Sequence, residues 1–350
     1  MNQDERWMGA AVALGERGRG RTAPNPNVGC IIVKDEVVVG RGWTQPGGRP
    51  HAEAMALEEA GAEASGSTLY VTLEPCTHQS RRGPACADLI VKAKPARVVI
   101  AAGDPDPRID GRGIQRLRQA GIDVATGVGA EAAERSMAGF LTRIRLGRPY
   151  VTLKLAMSLD GKIALPSGES RWITGEDARA HVHWERARSD MILVGRGTFN
   201  ADAPKLDVRL PGLEDRSPRR ALLTHGDGAE GWTTLSSPEE VYGLQGVNDL
   251  LVEGGAGAAT AFLAADLVDR MLIYRAPILV GEGKQALGYI GLTALADAHG
   301  RWELVESRML GIDRLEVYER VRSDTHTASP DPVEGRPSPT PGFDRLSPSG

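Results

Sequence analysis

Short apolar runs, separated by charged or Gly- and Pro-rich breaks, recur along the first part of the chain. Residues 28–39 (VGCIIVKDEVVV) hold two such runs around Lys34-Asp35-Glu36 and predict a β-hairpin or strand pair. His51 to Ala60 is rich in Ala, Glu and Leu and predicts a helix whose first turn carries His51 and Glu53. Thr68 to Leu73 predicts a strand, ended by Glu74-Pro75-Cys76. Ala85 to Ala93 predicts the next helix, with Cys86 in its first turn, and Arg97 to Ala101 the next strand. Gly113 to Ala120 reads as a helix closed by Gly121, followed by a strand over Ile122 to Thr126. This alternation is that of a layered α/β domain.

Ala130 to Leu146 reads as one helical stretch leading to Gly147-Arg148-Pro149, where a domain boundary is expected, giving a first domain over 1–146 and a second over 147–322. The second opens with a strand from Tyr150 to Ala156, a helix from Asp177 to Ser189 and a strand from Met191 to Val194. Pro-, Gly- and Asp-rich loops are expected over 200–219. Ala221 to Thr224, Asp249 to Val252, Arg270 to Tyr274 and Arg314 to Val321 predict strands, and Ala258 to Leu267 a helix, again α/β. Beyond Val321 large apolar residues almost vanish, so Ser323 to Gly350 is expected to be a disordered Pro/Ser-rich tail.

Composition narrows the classes. The chain has 350 residues, 41% of them hydrophobic and 25% charged, a globular balance. No stretch approaches the roughly 20 apolar residues of a membrane helix, and Met1 to Met8 does not read as a signal peptide. Three cysteines make no disulfide framework; as reduced thiols they fit a cytoplasmic protein and are free to bind metal. The net charge of −4, slightly basic up to Arg148 and acidic beyond, lacks the basic stripe of a nucleic-acid binder, so neither nucleic acid nor membrane is an expected partner.

The chemistry concentrates in His51-Ala52-Glu53, Glu74-Pro75-Cys76 and Cys86. One imidazole and two thiolates suit zinc, which in catalytic sites takes three protein ligands and keeps a position for water. Zinc lowers the pKa of that water from 15.7 to about 7. Glu53 is the candidate proton carrier, as in the H-x-E then P-C-x-x-C pattern of nucleobase deaminases. Here nine residues separate Cys76 from Cys86, so the second half of that pattern differs. A closed structural site with Cys30 or His78 as fourth ligand is the rival; it gives no role to a carboxylate beside the ligand. Cys30 itself reads as a small core residue. Asn25, between two prolines, is either a substrate hydrogen-bonder or a turn residue.

Pro24-Asn25-Pro26-Asn27-Val28-Gly29-Cys30, His51-Ala52-Glu53 and Glu74-Pro75-Cys76-Thr77-His78 closely resemble the N-terminal half of the bifunctional deaminase/reductases of riboflavin biosynthesis, as do Asp104-Pro105-Asp106-Pro107 and Gly111-Arg112-Gly113. The resemblance implies a cytidine-deaminase-like α/β/α domain, zinc on His51, Cys76 and Cys86, and Glu53 as proton shuttle. The loop from Gln79 to Ala85 is one residue longer than is usual in that family.

Farther on, Leu250 to Ala259 forms a strand, a Gly-rich turn and a helix start, a geometry that can approach phosphate. Too little ordered chain follows for a Rossmann domain. Lys154 to Lys162, Ser170-Arg171-Trp172-Ile173-Thr174 and Thr198 to Pro204 resemble the reductase half of the same family, which implies a dihydrofolate-reductase-like α/β fold using NADPH. By matching motifs, Ala156, Trp172, Thr198, Asp202 and the loop Gly255, Ala256, Gly257, Ala258, Ala259, Thr260 and Ala261 line the cofactor. Ser170, Arg186, Leu206, Arg209 and Glu253 line the substrate, with Arg186 and Arg209 suited to a ribose phosphate. Lys154 is the candidate proton donor. Ala203 and Asp207 depart from the family pattern, and an acid at 207 is expected to loosen the hold of Arg209 on phosphate.

The resemblance thus implies ring deamination of a phosphoribosylamino diaminopyrimidine, then NADPH-dependent reduction of its ribosyl group to ribityl. It also implies a homo-oligomer, since reductase domains of this kind often pair. The alternative is a zinc nucleobase or nucleic-acid deaminase carrying a degenerate reductase domain.

Overall fold

The computed structural model describes residues 2–78 and 83–321. The expected tail, and most of the lengthened loop after His78, lie outside the described residues.

The first half begins with a helix that the apolar pattern did not predict, α1 (Gln3–Gly15). A capping box starts it: the Asn2 side chain accepts from the Glu5 N–H while the Glu5 carboxylate accepts from the Asn2 N–H. The strand pair is β1 (Gly29–Lys34) and β2 (Val37–Trp43), longer than expected. Then come α2 (Ala52–Ala60), β3 (Thr68–Leu73), α3 (Cys86–Ala93), β4 (Arg97–Ala102), α4 (Arg112–Gln119) and β5 (Asp123–Thr126). The stretch expected as one helix is two, α5 (Ala130–Ser136) and α6 (Ala138–Leu146), hinged at Met137. The five strands order as β2-β1-β3-β4-β5, antiparallel at β2-β1-β3 and parallel at β3-β4-β5.

Helix α2 lies directly on β2, because a side chain at Gly42 would place Cβ 2.2 Å from the Ala52 carbonyl oxygen. That close approach sets the height at which His51, the N-cap of α2, emerges over the sheet. The core beneath is aliphatic, with Ile32, Leu69, Val71, Ile90, Val98, Val99 and Ile100 fully or almost fully buried, and Cys30 is among them as expected.

The second half runs β6 (Tyr150–Met157), β7 (Lys162–Ala164), α7 (Glu176–Ala187), β8 (Met191–Gly195) and α8 (Arg196–Asp202). It continues with β9 (Arg219–Leu223), β10 (Thr233–Leu235), β11 (Asp249–Val252), α9 (Ala256–Ala264), β12 (Arg270–Arg275), β13 (Lys284–Gln285), β14 (Trp302–Leu310) and β15 (Asp313–Arg320). Helix α8 and strands β7, β10, β13 and β14 were not predicted; α8 takes the first residues of the expected 200–219 loop region. Helix α9 begins two residues earlier than expected, so Ala256 to Ala261 are helical rather than loop. Eight strands order as β10-β9-β8-β11-β6-β12-β15-β14, parallel from β10 through β12 and antiparallel at β15 and β14.

The two halves are joined by buried charge. Arg19 of the first half donates to Asp249 at 2.8 Å, at the start of β11. Arg188, just past α7, pairs with Glu16. Asn248 donates through its side chain to the Asn25 carbonyl at 3.0 Å.

Candidate functional site

The ends of α2, β3 and α3 bring three soft ligands together. His51 Nδ1 lies 3.2 Å from Cys86 Sγ and 3.6 Å from Cys76 Sγ, and the three ligand atoms all fall within 4.8 Å of one another. His51 is half-buried and both cysteines are buried. The Cys86 backbone N–H, in the first turn of α3, donates to Cys76 Sγ at 3.4 Å, as expected for a thiolate at a helix N-terminus. Hydrogen bonding with Cys86 pulls the Cys76 thiol down, to about 4, against the opposing effect of burial. That same contact, with burial, pushes Cys86 up. Two sulfurs this close keep both negative charges only with a cation between them, and Zn2+ with two thiolates and an imidazole is such a set. The donor set therefore fits zinc.

Glu53 is 3% exposed and bonds with Cys86. Burial pushes its carboxyl up; His51 opposes this. Neither Cys30 nor His78 belongs to the ligand cluster among the described residues.

One residue that sequence reasoning left without a role holds this geometry. Glu74 accepts from the Gly113 N–H at 2.8 Å, the Gly111 N–H at 3.0 Å and the Ile114 N–H at 3.2 Å. It ties the turn carrying Cys76 to the start of α4, where a carboxylate is favoured. Gly113 is required there, since a Cβ would come 2.2 Å from the Pro75 carbonyl oxygen. The proximity of Glu74 to Cys76 was visible in the sequence, but its partners lie 37 to 40 residues away. Asn25 is half-buried, and its side-chain amide donates to the Thr22 carbonyl at 3.3 Å, so it serves the turn.

In the second half, the carboxyl ends of the parallel strands β6, β8 and β11 open into a cleft of about 1370 Å³. Such ends are where open α/β sheets bind ligands. Ala156, Ser170, Trp172, Arg186, Thr198, Asp202, Leu206, Arg209, Glu253, Gly255, Ala256, Gly257, Ala258 and Ala261 all line it. Ala259 and Thr260 do not: Ala259 is fully buried in the core, and Thr260 Oγ1 accepts from the Gly288 N–H at 2.7 Å. The turn of the helix carries these two away from the cleft. Trp172 is 67% exposed, with Arg179 stacked 4.6 Å over its ring, so it is a cleft wall and not core. Thr198 accepts from the Gly255 N–H at 2.8 Å, joining α8 to the start of α9.

Arg186 is not free to grip phosphate. It gives two hydrogen bonds to Glu253, at 2.7 and 2.8 Å, and a third to the Asp207 carbonyl at 3.0 Å. Lys154 Nζ lies 3.6 Å from the same Glu253 carboxylate. Burial pushes the Glu253 carboxyl up, but Arg186 and Lys154 overcome it and hold it at about 2. Arg209, by contrast, is exposed, with Asp207 3.4 Å away as expected from the extra acid. His183, one turn before Arg186 on α7, was missed. Its Nδ1 lies 3.1 Å from the Asp207 carbonyl oxygen and 3.3 Å from the Arg209 nitrogen, so it braces this loop. The i, i+3 spacing of His183 and Arg186 was the available signal.

The family model for the cytidine and deoxycytidylate deaminase zinc-binding region matches residues 1–102, and that for the RibD C-terminal domain matches 149–229 and 239–314. The chain is 42% identical to the riboflavin biosynthesis protein RibD of Escherichia coli K12, covering 89% of this chain and 98% of that one. The chain belongs to the RibD family. RibD of Acinetobacter baumannii has a similar solved structure, with TM-score 0.83, 36% identity and coverage of 91% and 99%. So has the diaminohydroxyphosphoribosylaminopyrimidine deaminase/5-amino-6-(5-phosphoribosylamino)uracil reductase of Thermotoga maritima, with TM-score 0.82, 30% identity and the same coverage. As a member of this family, the chain is a bifunctional enzyme of riboflavin biosynthesis, a zinc-dependent deaminase joined to an NADPH-dependent reductase. The fold expected for each half is the one found. The match across both halves does not favour a nucleic-acid deaminase with a degenerate second domain. Among the described residues, no helix is long and apolar enough to cross a membrane.

Proposed function

We propose that the chain deaminates 2,5-diamino-6-(5-phosphoribosylamino)pyrimidin-4-one on its ring and then reduces the ribosyl group to ribityl. The first domain spans 1–146, the second 147–322. Bound zinc supplies hydroxide at neutral pH, and bound NADPH supplies hydride. His51, Cys76 and Cys86 hold the metal. Glu53 takes the proton of the attacking water and passes it to the departing exocyclic amino nitrogen; the C–N bond to that group breaks, ammonia leaves and a ring carbonyl remains. Asn25 is assigned to the substrate at the rim, alongside its role in the turn.

In the second domain the cofactor lies along Ala156, Trp172, Thr198, Asp202 and the start of α9. Ser170, Leu206, Arg209 and Glu253 face the substrate. Arg209 takes the phosphate, while Arg186 fixes Glu253. As hydride reaches the anomeric carbon, the sugar ring C–O bond opens and its oxygen accepts a proton, for which Lys154 is the candidate donor. The convergence of His51, Cys76 and Cys86 beside a buried Glu53 carries this reading.

The partner is a small molecule and not nucleic acid, in keeping with the net charge of −4. The need for two unoxidised thiolates fits the reducing cytoplasm. The protein acts as a homo-oligomer. Incubation with the phosphoribosyl diaminopyrimidine tests the two steps separately. Ammonia should appear with or without NADPH, and NADPH should be consumed only after deamination. Ammonia release without any NADPH oxidation would remove the second activity; neither would remove both.

A further inference from the structure

Between β7 and α7, Ser170-Arg171-Trp172-Ile173-Thr174 walls the reductase cleft with neither helix nor strand. Without ladder hydrogen bonds, such a segment keeps its place only through its ties to the surrounding frame. Gly175, which follows it, is the N-cap of α7 and brings no side chain to the helix start. Its own N–H donates to Oδ2 of Asp313 at 2.6 Å, 138 residues away in the chain. Asp313 opens β15 and is fully buried, yet its Oδ1 has no hydrogen-bond partner among the described residues. Burying a carboxylate with so few partners is costly, and an apolar side chain would fill the space without that cost. The positive end of the α7 dipole offsets part of it. What the carboxylate adds beyond volume is a fixed point for Gly175. The turn before Asp313 is fitted to the same helix: Gly311 has φ +61°, and a Cβ there would come 2.5 Å from Oδ2 of Asp177, in the first turn of α7. Arg179, one turn along α7, holds the segment from the cleft side. Its Nη1 donates to the Thr174 carbonyl at 2.6 Å, and its guanidinium stacks 4.6 Å over the Trp172 ring. Arg171 adds only an exposed ion pair with Asp202 at 3.8 Å, a weak tie.

We propose that Asp313 is a positioning residue for NADPH: by holding Gly175 it sets, together with Arg179, where Trp172 stands in the cleft. This deepens the reading above that Trp172 faces the cofactor, and rests on it. Asp313 does not itself line the cleft, so it acts through the segment it anchors. With that anchor cut, the segment samples other positions, and only the fraction with Trp172 in place is ready to bind. The apparent dissociation constant rises as the inverse of that fraction. Bound cofactor selects the ready form, so turnover at saturating NADPH recovers. The loss therefore falls on Kd and KM for NADPH and spares kcat.

Fluorescence titration of the full-length, zinc-loaded protein with NADPH tests this. Asp313→Leu should raise Kd and KM for NADPH about tenfold, with kcat within about twofold of wild type. Asp313→Asn keeps an oxygen for the Gly175 N–H and should bind NADPH nearly as wild type does. Hydrogen exchange over residues 170–179 should quicken in Asp313→Leu without cofactor and slow again when NADPH saturates it. A merely structural role would lower the melting temperature and leave Kd unmoved. Arg179→Met cuts the second tie at a partly exposed side chain and should also weaken NADPH binding. Folded Asp313→Leu with wild-type affinity overturns the proposal, as does Asp313→Asn binding as weakly as Asp313→Leu. If Asp313→Leu does not fold, Arg179→Met with wild-type affinity overturns it instead. Trp172→Ala separates this from the reading beneath it. Normal NADPH binding by Trp172→Ala removes the cofactor reading of that wall and the role of Asp313 together. Weak binding by Trp172→Ala beside normal binding by Asp313→Leu removes the role of Asp313 alone.

Discussion

Arg186 and Glu253 clasp each other across the floor of the reductase cleft, the guanidinium Nε and Nη2 reaching the two carboxylate oxygens at 2.8 and 2.7 Å. Both side chains are almost wholly buried, one from α7 and one from the end of β11. A two-point pair fixes direction as well as distance, so Glu253 presents one geometry to whatever occupies the cleft. Arg186→Lys keeps the charge and loses the fork. We expect NADPH oxidation to fall at least about a hundredfold, as misplaced groups cost catalysis that much. Ammonia release should be unchanged. Steady-state assays of both steps on one preparation check this.

The same pair gives a pH signature. Glu253 is held at about 2, against an ordinary value of 4.5. A folded value below the unfolded one contributes stability above about pH 4.5, and that contribution disappears as pH falls toward 2. Glu253→Gln leaves Arg186 buried and unpaired, and should cost roughly 3 kcal/mol at pH 7. Urea unfolding of wild type and variant between pH 7 and pH 3 should show the gap narrowing below about pH 4.5. A gap that widens instead contradicts the assignment.

Glu53→Gln preserves the volume beside Cys86 and removes the carboxylate proposed to carry the proton. Zinc content should stay stoichiometric while ammonia release falls by about a hundredfold or more. Metal analysis and turnover on one sample decide this; full turnover with full zinc would remove Glu53 from the proton path.

Removing zinc separates the halves. After chelation, ammonia release should stop, but NADPH oxidation should persist when the deaminated intermediate is supplied. The cleft assigned above to the second reaction shares no residue with the His51 cluster.

Asp207 stands 3.4 Å from the exposed Arg209. Asp207→Asn removes a competing anion and should lower KM for the phosphorylated substrate severalfold with kcat nearly unchanged. Arg209→Gln should raise KM. Both effects should shrink with added salt, because the contact is exposed. Kinetics at two ionic strengths measure it.

The grouping of His51, Cys76 and Cys86 beside Glu53 was legible in the sequence because these residues sit in three short motifs at element ends, and local sequence sets those ends. Strands with unbroken apolar runs, such as Thr68–Leu73 and Asp249–Val252, were read to their boundaries. Strand β14 was not, because its mixed sequence, exposed from Glu303 to Met309, carries no alternating burial pattern. Helix α1 was passed over because its N-terminal polar residues are caps, not breaks.

What the sequence determined by itself was the chemistry on offer: which side chains are soft ligands, and which carboxylate stands beside them. Only tertiary structure decided that Arg186 is committed to Glu253 while Arg209 stays exposed beside Asp207, and that Thr260 turns away from the cleft toward Gly288. The reason is physical. A residue's type fixes what it can bond, but which partner it meets depends on contacts between segments tens of residues apart, and these exist only once the sheets have assembled.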